Sequence, residues 1–462
     1  MKVLLLQPPS GSPFSDKVFL HEPLALEYLG AGIRMDGHEV ILHDARLDPD
    51  VDNVITSFAP DIVGLTGYTI QLPVICSLAD RIKTLRPDTF VVVGGHHATV
   101  RPEDFNRGSI DLVVSGEGVT TLREVLRAIQ EGNSFDQIPG LAIPGPEMRT
   151  TGKRPYPPLD DLPFPDRSLT REYRDHYFSE WLKPIASIRT SLGCTARCNF
   201  CALWEITGGR YLRREPERVV EELKIIEEKN VFFCDDESMC DIRRMDRLAD
   251  CIREAGIRKR YFLYARGDTI TRHPDVFAKW KDIGLHLVFV GMETFSQDRL
   301  DRMDKRLLID DQEKAARILE DLGIIMYASF MVDPDFTRED FASLRAYIRR
   351  LRLRHASYSI LTPLPGTGLF KDMEDRMLPY QPDLYDFLHT TLSTRLPLPE
   401  FYSQFAGLYQ NAIPLHRSIR TLSLYGIRRI PGVLKLIPEA ISKIRGHHKD
   451  HRNTAWTGTS CG

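Results

Sequence analysis

The sequence has few of the features that would place it in a class at once. No run approaches the roughly eighteen apolar residues that a membrane-spanning helix needs, and the apolar run near the N-terminus extends only from Val3 to Leu6. That run is too short for the core of a secretory signal, so we expect a cytoplasmic protein. The net charge of -3 gives no indication of a nucleic-acid partner, and low-complexity blocks and short repeats are missing.

Cysteine is also scarce, and its use is informative. Eight cysteines in 462 residues without an export signal are more typical of reduced thiols or metal ligands than of a disulfide framework. The composition, with 42% hydrophobic and 27% charged residues, is that of a globular protein and excludes a disordered chain. At about 150 residues per domain, the length predicts roughly three structural units.

The first 137 residues alternate β-rich runs with amphipathic helical segments such as Leu24 to Met35. Strands rich in Val, Ile and Leu that are separated by helices form parallel β-α-β units with helices on both faces. We therefore predict an α/β fold here, with a doubly wound, Rossmann-like parallel sheet of five strands. The predicted strands are Lys2 to Leu6, Glu39 to His43, Asp61 to Thr66, Phe90 to Gly94 and Asp111 to Ser115.

Three further regions follow. Residues 138–180 contain eight prolines between Pro139 and Pro165, which predicts an extended linker. In residues 181–378 the alternation resumes with too few strands for an eightfold barrel, so we predict a partial (β/α)6 barrel with its chemistry at the carboxyl ends of the strands. Residues 379–462 are predicted to form a helical C-terminal region. The predicted barrel strands are Ile185 to Ser191, Val231 to Cys234, Tyr261 to Ala265, Leu287 to Val290, Ile325 to Met331 and Ser357 to Thr362.

Three cysteines, Cys194, Cys198 and Cys201, directly follow the first predicted barrel strand. Three thiolates at spacings of four and three can hold three irons of a [4Fe-4S] cluster and leave the fourth iron open for substrate chemistry. A structural zinc site is the alternative, but zinc usually takes four ligands in paired short spacings, and no suitable fourth ligand lies nearby. Cys234 and Cys240 cannot close a second cluster and are predicted to be buried or strand-end thiols.

This loop resembles the signature of the radical S-adenosylmethionine (SAM) superfamily, Cys-x-x-x-Cys-x-x-Cys with an aromatic residue, here Phe200, before the last cysteine. The resemblance implies that Cys194, Cys198 and Cys201 ligate the [4Fe-4S] cluster. It also implies that the open iron binds the amino and carboxylate groups of SAM, which the reduced cluster cleaves to methionine and a 5'-deoxyadenosyl radical.

Residues at three strand ends extend the resemblance over positions 185 to about 375. Asp236 is similar to an acidic residue near the SAM amino group, Arg266 to the arginine of a frequent Arg-x-Asp element, and Glu293 to the glutamate of a Gly-Ile-Glu-Ser element. All three are thereby implied to bind SAM, although each could be an ordinary strand-end residue with a surface hydrogen bond. Residues 331–335 depart from the family, because Met-Val-Asp-Pro-Asp replaces a Gly-x-Pro-Gly-x-Thr turn.

The loops after the N-terminal strands are rich in glycine and hydroxyl groups, and ligands of doubly wound sheets bind at that edge. The order of these loops resembles the cobalamin-binding domain that is fused to radical SAM barrels. An Asp-x-His-x-x-Gly motif is missing, so the resemblance implies no histidine on cobalt, and His96 and His97 are expected to contact the nucleotide tail or solvent. The implied cobalamin-binding residues are Gln7, Thr66, Tyr68, Gly94, Gly95, His96, Ser115, Gly116 and Glu117.

Together the two resemblances imply a cobalamin-dependent radical SAM methyltransferase that methylates an unactivated carbon and takes electrons from a donor such as flavodoxin or ferredoxin. Domain order, length and the C-terminal tail resemble the hopanoid C-3 methylases, which implies a small-molecule lipid substrate methylated on ring A. Alternatives are a methylase of a peptide or antibiotic, a non-methylating enzyme of the tetrapyrrole oxidative cyclase type and, least favoured, a corrinoid-binding sensor or carrier. No side chain is assigned a catalytic role.

The tail between His416 and Arg452 is basic, with nine Lys or Arg residues against two acids, and apolar residues lie among them. Such a segment suits either a peripheral contact with anionic lipid on the inner face of the membrane or a solvated helix pair that covers the barrel. The basic residues are Arg417, Arg420, Arg428, Arg429, Lys435, Lys443, Arg445, Lys449 and Arg452.

Overall fold

A computed structural model describes residues 1–12, 15–411 and 430–451, without the side chains of residues 15, 411 and 430–437. The chain divides into two compact units. The first contains Met1–Tyr177 and Glu205–Arg214, and the second contains Phe178–Trp204 and the described residues from Glu215 onward.

Short strands and helices alternate along the first 177 residues, as their sequence pattern predicts. Short 3-10 helices cover Thr69–Gln71, Pro102–Phe105, Leu159–Asp161 and Arg167–His176. The strands and α-helices are β1 (Lys2–Gln7), α1 (Ser15–Val18), β2 (Phe19–Leu20), α2 (Leu24–Met35), β3 (Glu39–Asp44), α3 (Val51–Phe58), β4 (Ile62–Thr66), α4 (Leu72–Leu85), β5 (Phe90–Gly94), α5 (His96–Val100), β6 (Leu112–Val114), α6 (Gly118–Glu131), β7 (Leu141–Ile143) and β8 (Arg149–Thr150).

Seven of these strands form one sheet in the order β3-β1-β4-β5-β6-β7-β8. The five predicted strands are confirmed, and they pair in parallel. Apolar residues are buried on both faces of the sheet, as in β1, where Leu4 and Leu6 face one hydrophobic core and Val3 and Leu5 the other. Helices cover both faces, which explains why the strand sequences are continuously apolar and do not alternate.

The sheet is wider than predicted because two strands come from residues 138–180, which the sequence analysis assigned to a linker. β7 pairs with β6 and β8 pairs with β7, both antiparallel. Prolines 139, 144 and 146 lie just outside these strands, where they remove no hydrogen bond of the ladder. These three prolines therefore mark the strand ends and the turn between them, the other five follow β8, and most of the segment belongs to the first unit.

The remaining elements again alternate strands and helices. Short 3-10 helices cover Glu374–Arg376, Pro382–Leu384 and His447–Lys449. The strands and α-helices are β9 (Phe178–Ser179), β10 (Ile185–Ile188), β11 (Ser191–Leu192), α7 (Leu203–Thr207), β12 (Leu212–Arg213), α8 (Pro216–Ile225), β13 (Asn230–Phe233), α9 (Ile242–Glu254), β14 (Arg260–Ala265), α10 (Gly267–Arg272), α11 (Pro274–Ile283), β15 (Leu285–Glu293), α12 (Gln297–Arg302), α13 (Ile309–Asp321), β16 (Ile325–Val332), α14 (Arg338–Arg350), β17 (His355–Ile360), α15 (Gly368–Asp372), α16 (Leu398–Asn411) and α17 (Ile430–Gly446).

The second unit is built on a six-stranded parallel sheet in the order β10-β13-β14-β15-β16-β17, as predicted for a partial barrel. Its strands have two different faces, and β16 shows this most clearly. Ala328, Phe330 and Val332 are fully buried in the core that also contains the apolar residues of the surrounding helices, whereas Tyr327 and Ser329 are only half-buried. Because side chains alternate along a strand, the half-buried set lies on the opposite, inner face of the sheet.

A cluster of histidines and carboxylates fixes the end of the described chain. The His389 ring nitrogens lie 3.0 Å from Asp386 and 3.2 Å from Asp450, and the ring stacks on His447 with 3.9 Å between centroids and 20° between planes. Burial opposes protonation of His389, but the bonds to Asp386 and Asp450 outweigh it and raise its pKa. The nearly parallel rings cannot aim their lone pairs at one ion, so this cluster serves to hold the C-terminal segment to the loop before α16.

Part of the predicted basic tail can be compared with the structure. Ile441 and Ile444 of α17 are buried in the core of the second unit, while Lys443 and Arg445 are exposed. This portion therefore covers the barrel, as the second of the two tail hypotheses expects. Arg417, Arg420, Arg428, Arg429 and Arg452 lie outside the described residues, and so does the side chain of Lys435. Among the described helices, none is long and apolar enough to cross a membrane.

Gly284 ends α11 at φ +118°, and a Cβ atom there would overlap the carbonyl oxygen of Lys259. We expect Gly284→Ala to lower the free energy of unfolding by at least about 2 kcal/mol, because left-handed backbone alone costs roughly 1–2 kcal/mol and the overlap adds to it. Gly256→Ala is the matched control, since Gly256 has φ +65° and open space around it. Urea unfolding followed by circular dichroism should show a much larger shift of the midpoint for Gly284→Ala than for the control. Equal shifts would contradict the close approach at Lys259.

Candidate active site

The three cysteines of the predicted cluster lie in one loop between β11 and α7, all half-buried and none in a disulfide. Gly193 opens the loop at φ +93°, a conformation that favours glycine. Within the loop the Ala196 amide donates to Cys194 Sγ at 3.4 Å, and the Cys201 amide donates to the Cys198 carbonyl at 3.1 Å. These bonds bring three thiols into one short, curved segment.

Neighbouring segments clamp this loop from two sides. The Asn199 amide donates to the Met303 carbonyl at 3.1 Å, and the Asn199 carbonyl accepts from the Leu369 amide at 3.0 Å. Trp204 donates from its indole nitrogen to the Ala196 carbonyl at 2.7 Å. The loop is thus tied to the segments after β15 and β17, which fixes the positions of its thiols relative to the carboxyl end of the sheet.

Burial raises the pKa of Cys194 to about 12 and that of Cys201 to about 11, and it also raises the pKa of Cys198. Thiolates at these positions therefore need a nearby cation. Iron provides that charge and prefers thiolate ligands, so the donor set fits a cluster held by three cysteines. The residues contributed by this loop fit the predicted group.

Two acids after β13 hold the start of the cluster loop. Asp235, which is 1% exposed, accepts hydrogen bonds from the Thr190 amide at 2.6 Å, the Ser191 amide at 2.8 Å and the Thr190 hydroxyl at 2.7 Å. Asp236 accepts from the Gly193 amide at 2.6 Å. The structure therefore places Asp236, which the sequence analysis assigned to SAM, against the backbone that leads into the cluster loop.

The other two predicted SAM residues are linked through a lysine. Lys305 forms a buried ion pair with Glu293, and Arg266 donates to the Lys305 carbonyl at 3.1 Å. Glu293 has φ +59° and follows an irregularity in the β15–β16 register at Gly291. Such an irregularity re-aims a side chain at a strand end. It places a carboxylate beside two cations at the carboxyl end of the sheet, a set of charges that fits the ammonium and carboxylate groups of an amino acid.

Residues 331–335, where the sequence departs from the family pattern, are held by ion pairs. Asp333 accepts from Arg299 at 2.6 Å, and Asp335 forms two hydrogen bonds with Arg376 at 2.9 and 2.7 Å. Both carboxylates are thus engaged within the protein, which gives a physical reason for the departure: this turn is stabilised by charge instead of by glycine.

In the first unit, the predicted cobalamin-binding loops meet at the carboxyl ends of β4, β5 and β6. Gly95 has φ +99°, and a Cβ atom there would lie 2.6 Å from the Thr66 hydroxyl and 2.9 Å from the Gly67 amide. Exposed Tyr68 stacks on exposed His96 with 4.8 Å between ring centroids. An edge that presents backbone, a hydroxyl and two exposed rings fits a flat macrocycle, so these residues fit a corrinoid.

The two adjacent histidines have different environments. His97 is fully buried, with one ring nitrogen 3.1 Å from the Thr69 hydroxyl and the other 3.0 Å from Asp104. Both of its nitrogens are therefore engaged within the fold, whereas His96 lies at the exposed edge. This arrangement agrees with the expectation that His97 is not a cobalt ligand, but the expectation that it contacts the nucleotide tail or solvent is wrong, because its ring is fully buried.

The remaining predicted residues have structural partners at the same edge. Ser115 donates to the Ala98 carbonyl at 3.0 Å, the Gly116 amide donates to Thr99 at 3.0 Å, and Gln7 donates to the Pro8 carbonyl at 3.2 Å. Gly94 ends β5. The carboxylate of Glu117 is buried and caps α6 by accepting from the Val119 and Thr120 amides, which accounts for Glu117 without a cofactor.

Sequence reasoning missed three polar residues that organise these edges. Asp235 was not predicted as a site residue, although it accepts three hydrogen bonds from Thr190 and Ser191, just before the cluster loop, where Asp236 accepts one from Gly193. Gln71 links two loops, donating to the Pro9 carbonyl at 2.8 Å and accepting from the Tyr68 amide at 3.0 Å. Gln312, fully buried, donates to the Met292 carbonyl at 2.6 Å. A polar residue on the apolar face of a helix was the available signal for Gln312.

Comparisons with known proteins agree with this geometry. Residues 18–126 match the B12 binding domain, and residues 188–348 match the radical SAM superfamily. The chain is 32% identical over 421 residues to the hopanoid C-3 methylase of Methylococcus capsulatus, which covers 89% of this chain and 80% of that protein. It is 25% identical to an anaerobic magnesium-protoporphyrin IX monomethyl ester cyclase of Rubrivivax gelatinosus, covering 84% of this chain and 73% of that protein.

Two solved structures share the fold. The radical SAM methyltransferase TsrM of Kitasatospora setae, with cobalamin and a [4Fe-4S] cluster bound, has a TM-score of 0.65 at 22% identity and covers 82% of this chain and 76% of that chain. The cobalamin-dependent enzyme OxsB has a TM-score of 0.74 at 15% identity and covers 97% of this chain and 72% of that chain. The chain belongs to the cobalamin-binding radical SAM family. Its cofactors are a [4Fe-4S] cluster, SAM and cobalamin, and its activity class is that of a radical SAM C-methyltransferase.

We expect Asp235→Ala to lose most of its iron and acid-labile sulfide after reconstitution. The change leaves two buried backbone amides without an acceptor, each at a cost of about 1–3 kcal/mol, in the segment that precedes Cys194. Asp235→Asn keeps one acceptor oxygen and should retain more iron. Asp241→Ala is the control, because Asp241 caps α9 by accepting from the Arg244 amide. Full iron content in Asp235→Ala would show that the loop does not depend on this carboxylate.

We expect Gly95→Ala to bind cobalamin at least about tenfold more weakly, which corresponds to a loss of about 1.4 kcal/mol of binding free energy. The reason is that the added methyl group forces apart the loops after β4 and β5, and the left-handed backbone is unfavourable for alanine. Gly132→Ala is the control, because Gly132 also has a positive φ, +68°, but has open space around it and lies at the far end of α6. Cobalamin retained after gel filtration, read from its visible absorption, measures the effect. If Gly95→Ala retained as much cobalamin as Gly132→Ala, Gly95 would not be part of the cobalamin-binding site.

Proposed function

We propose that the protein methylates an unactivated carbon of a lipid, and that the substrate is a hopanoid methylated at C-3 of ring A. The observation that carries this proposal is the 32% identity to the Methylococcus capsulatus hopanoid C-3 methylase over 89% of the chain. That similarity extends across both units and is not confined to the cofactor motifs.

In this proposal the thiolates of Cys194, Cys198 and Cys201 ligate the cluster, and the surrounding loop holds these thiolates in place. When bound, the cluster supplies the electron that cleaves SAM, and cobalamin carries the methyl group. Glu293 and Arg266 orient the amino-acid part of SAM at the carboxyl end of the sheet, and Lys305 neutralises Glu293. Asp235 and Asp236 act on the cluster loop and are positioning residues.

The first unit contributes the corrinoid site. Thr66, Tyr68, Gly94, Gly95 and His96 form the surface that the macrocycle would contact. Gln7, Ser115, Gly116 and Glu117 support it, the last by capping α6. Gln71 also supports this surface, because it holds two of these loops together. The electron donor in this proposal is a small redox protein such as flavodoxin or ferredoxin, and contact with a membrane surface through the basic tail belongs to the same proposal.

A second candidate is the non-methylating reaction of the tetrapyrrole cyclases, favoured by the 25% identity over 84% of the chain to the Rubrivivax gelatinosus cyclase. The two candidates differ in the products formed from SAM. A methylase releases S-adenosylhomocysteine together with 5'-deoxyadenosine, whereas a cyclase of this type releases no S-adenosylhomocysteine.

Anaerobic reconstitution with iron, sulfide and cobalamin, followed by turnover with SAM, a reductant and a hopanoid, tests the proposal. We expect both nucleoside products in comparable amounts and a hopanoid heavier by one methyl group. Cys198→Ala should lose SAM cleavage entirely, whereas Cys251→Ala, a buried thiol on α9, should retain it. A parallel reaction contains magnesium-protoporphyrin monomethyl ester in place of the hopanoid. Deoxyadenosine alone, with that ester consumed, would instead establish the cyclase.

A further inference from the structure

Aromatic side chains from four neighbouring strands of the second unit form one continuous surface. Tyr264, Phe289 and Tyr327 are register partners on β14, β15 and β16, with ring centroids 5.0 and 5.6 Å apart. Phe232 on β13 stacks on its register partner Phe262 at 4.7 Å and meets Tyr264 at 5.3 Å. We call these five residues the aromatic floor.

The aromatic floor lies on the inner face of the sheet. The residues next to Phe289 on its strand, Val288 and Val290, belong to the hydrophobic core shared with the helices, and so does Ala328 next to Tyr327. Since neighbouring side chains point to opposite faces, the floor points away from that core. Tyr264, Phe289 and Tyr327 are only half-buried, whereas Phe232 and Phe262, the other two floor residues, are buried, as is Phe330 on the helix-facing side.

Along each strand, the floor residues precede the level of the residues assigned to SAM by two positions. Arg266, Gly291 and Ser329 each follow a floor residue by two positions, which corresponds to about 7 Å along a strand. Gly291, Ser329 and Ser357 are register partners, so small side chains follow Phe289 and Tyr327 in this row, while Arg266 follows Tyr264. Phe289 and Tyr327 therefore have only small residues two positions further along their own strands, and the Glu293–Lys305 ion pair lies beside Gly291.

The floor also has a defined chemistry. None of its five side chains carries a charge, and the Tyr327 hydroxyl donates to Glu180 at 2.8 Å, so Tyr327 contributes its ring and has its hydroxyl engaged. Aromatic faces contact flat, rigid, apolar ring systems well and offer little to a charged or flexible chain. The charged groups lie nearer the carboxyl end of the sheet, at the level assigned to SAM. They are Glu293, Lys305 and Arg266.

We propose that the aromatic floor binds the fused-ring body of the methyl acceptor, and that Phe289, at the centre of the row, is a specificity-determining residue. The inference rests on the proposed function in one respect: the acceptor must react in this barrel. It goes beyond that function by naming the surface and the class of occupant, a rigid apolar polycycle. A saturated pentacyclic triterpenoid and a conjugated tetrapyrrole share that chemistry, and the test separates them.

The test uses full-length protein reconstituted with cluster and cobalamin, and measures equilibrium dialysis of a tritium-labelled pentacyclic triterpenoid alcohol in detergent. Phe289→Leu keeps an apolar side chain but removes the ring, and we expect its Kd to rise about tenfold, the effect of losing about 1.4 kcal/mol of ring contact. Tyr264→Leu should behave in the same way and serves if Phe289→Leu does not fold. Phe19→Leu, at an exposed aromatic residue of the first unit that lies outside the floor, is the matched control, and its Kd should stay within about twofold of that of the unsubstituted protein.

The possible outcomes separate this inference from the proposed function. A folded Phe289→Leu and a folded Tyr264→Leu that both bind the triterpenoid as the unsubstituted protein does would overturn the floor, even if the hopanoid is methylated. If magnesium-protoporphyrin monomethyl ester binds in place of the triterpenoid, and binds more weakly in both leucine variants, the floor is supported while the hopanoid proposal fails. If the unsubstituted protein bound neither compound, the proposed binding role of the aromatic floor would be wrong.

Discussion

The buried carboxylate of Asp235 is the interaction on which the reactive end of the barrel depends. Its two backbone bonds, to the Thr190 and Ser191 amides, satisfy donors that neither strand pairing nor water reaches. Burial raises the pKa of Asp235, which is a cost of placing the charge there, while these bonds and the nearby Arg244 act in the opposite direction. A loop with three cysteines has no regular structure of its own, so its position relative to Glu293 and Arg266 is set by such side-chain contacts.

In the first unit, a glycine fixes the position of the irregular loops at the edge of the sheet. There the loops after neighbouring strands approach so closely that only a residue without a side chain fits at position 95. Gln71 then joins those loops to the loop after β1 through its amide group. In both units the strands supply a rigid edge, and a few buried polar or very small residues decide where the irregular segments lie on that edge.

The architecture could be predicted from the sequence to a large extent, because it follows from hydrophobic patterning. All eleven predicted parallel strands are present, because strands of the first sheet are apolar on both faces and strands of the second sheet have at least one face buried in the hydrophobic core. The cysteine loop was equally clear from spacing alone. What could not be predicted were choices between neighbours with the same chemistry: Asp235 or Asp236, His96 or His97. Which of two adjacent residues turns inward depends on tertiary contacts. β7 and β8 were assigned to a linker for a different reason: they are short edge strands next to prolines, and a proline-rich composition predicts an extended segment.

The alternation of faces along β15 and β16 separates two kinds of evolutionary change. Every second residue belongs to the core and is constrained by packing, while the residues between them contribute little to that core. Substitutions at the inner positions can therefore accumulate without a stability cost comparable to that of a core change. The fold itself is shared with solved structures at only 15 to 22% identity. Insertion of a single residue within either strand would exchange the two faces beyond that point, so a change of length here would disrupt the core more than most single substitutions on the inner face.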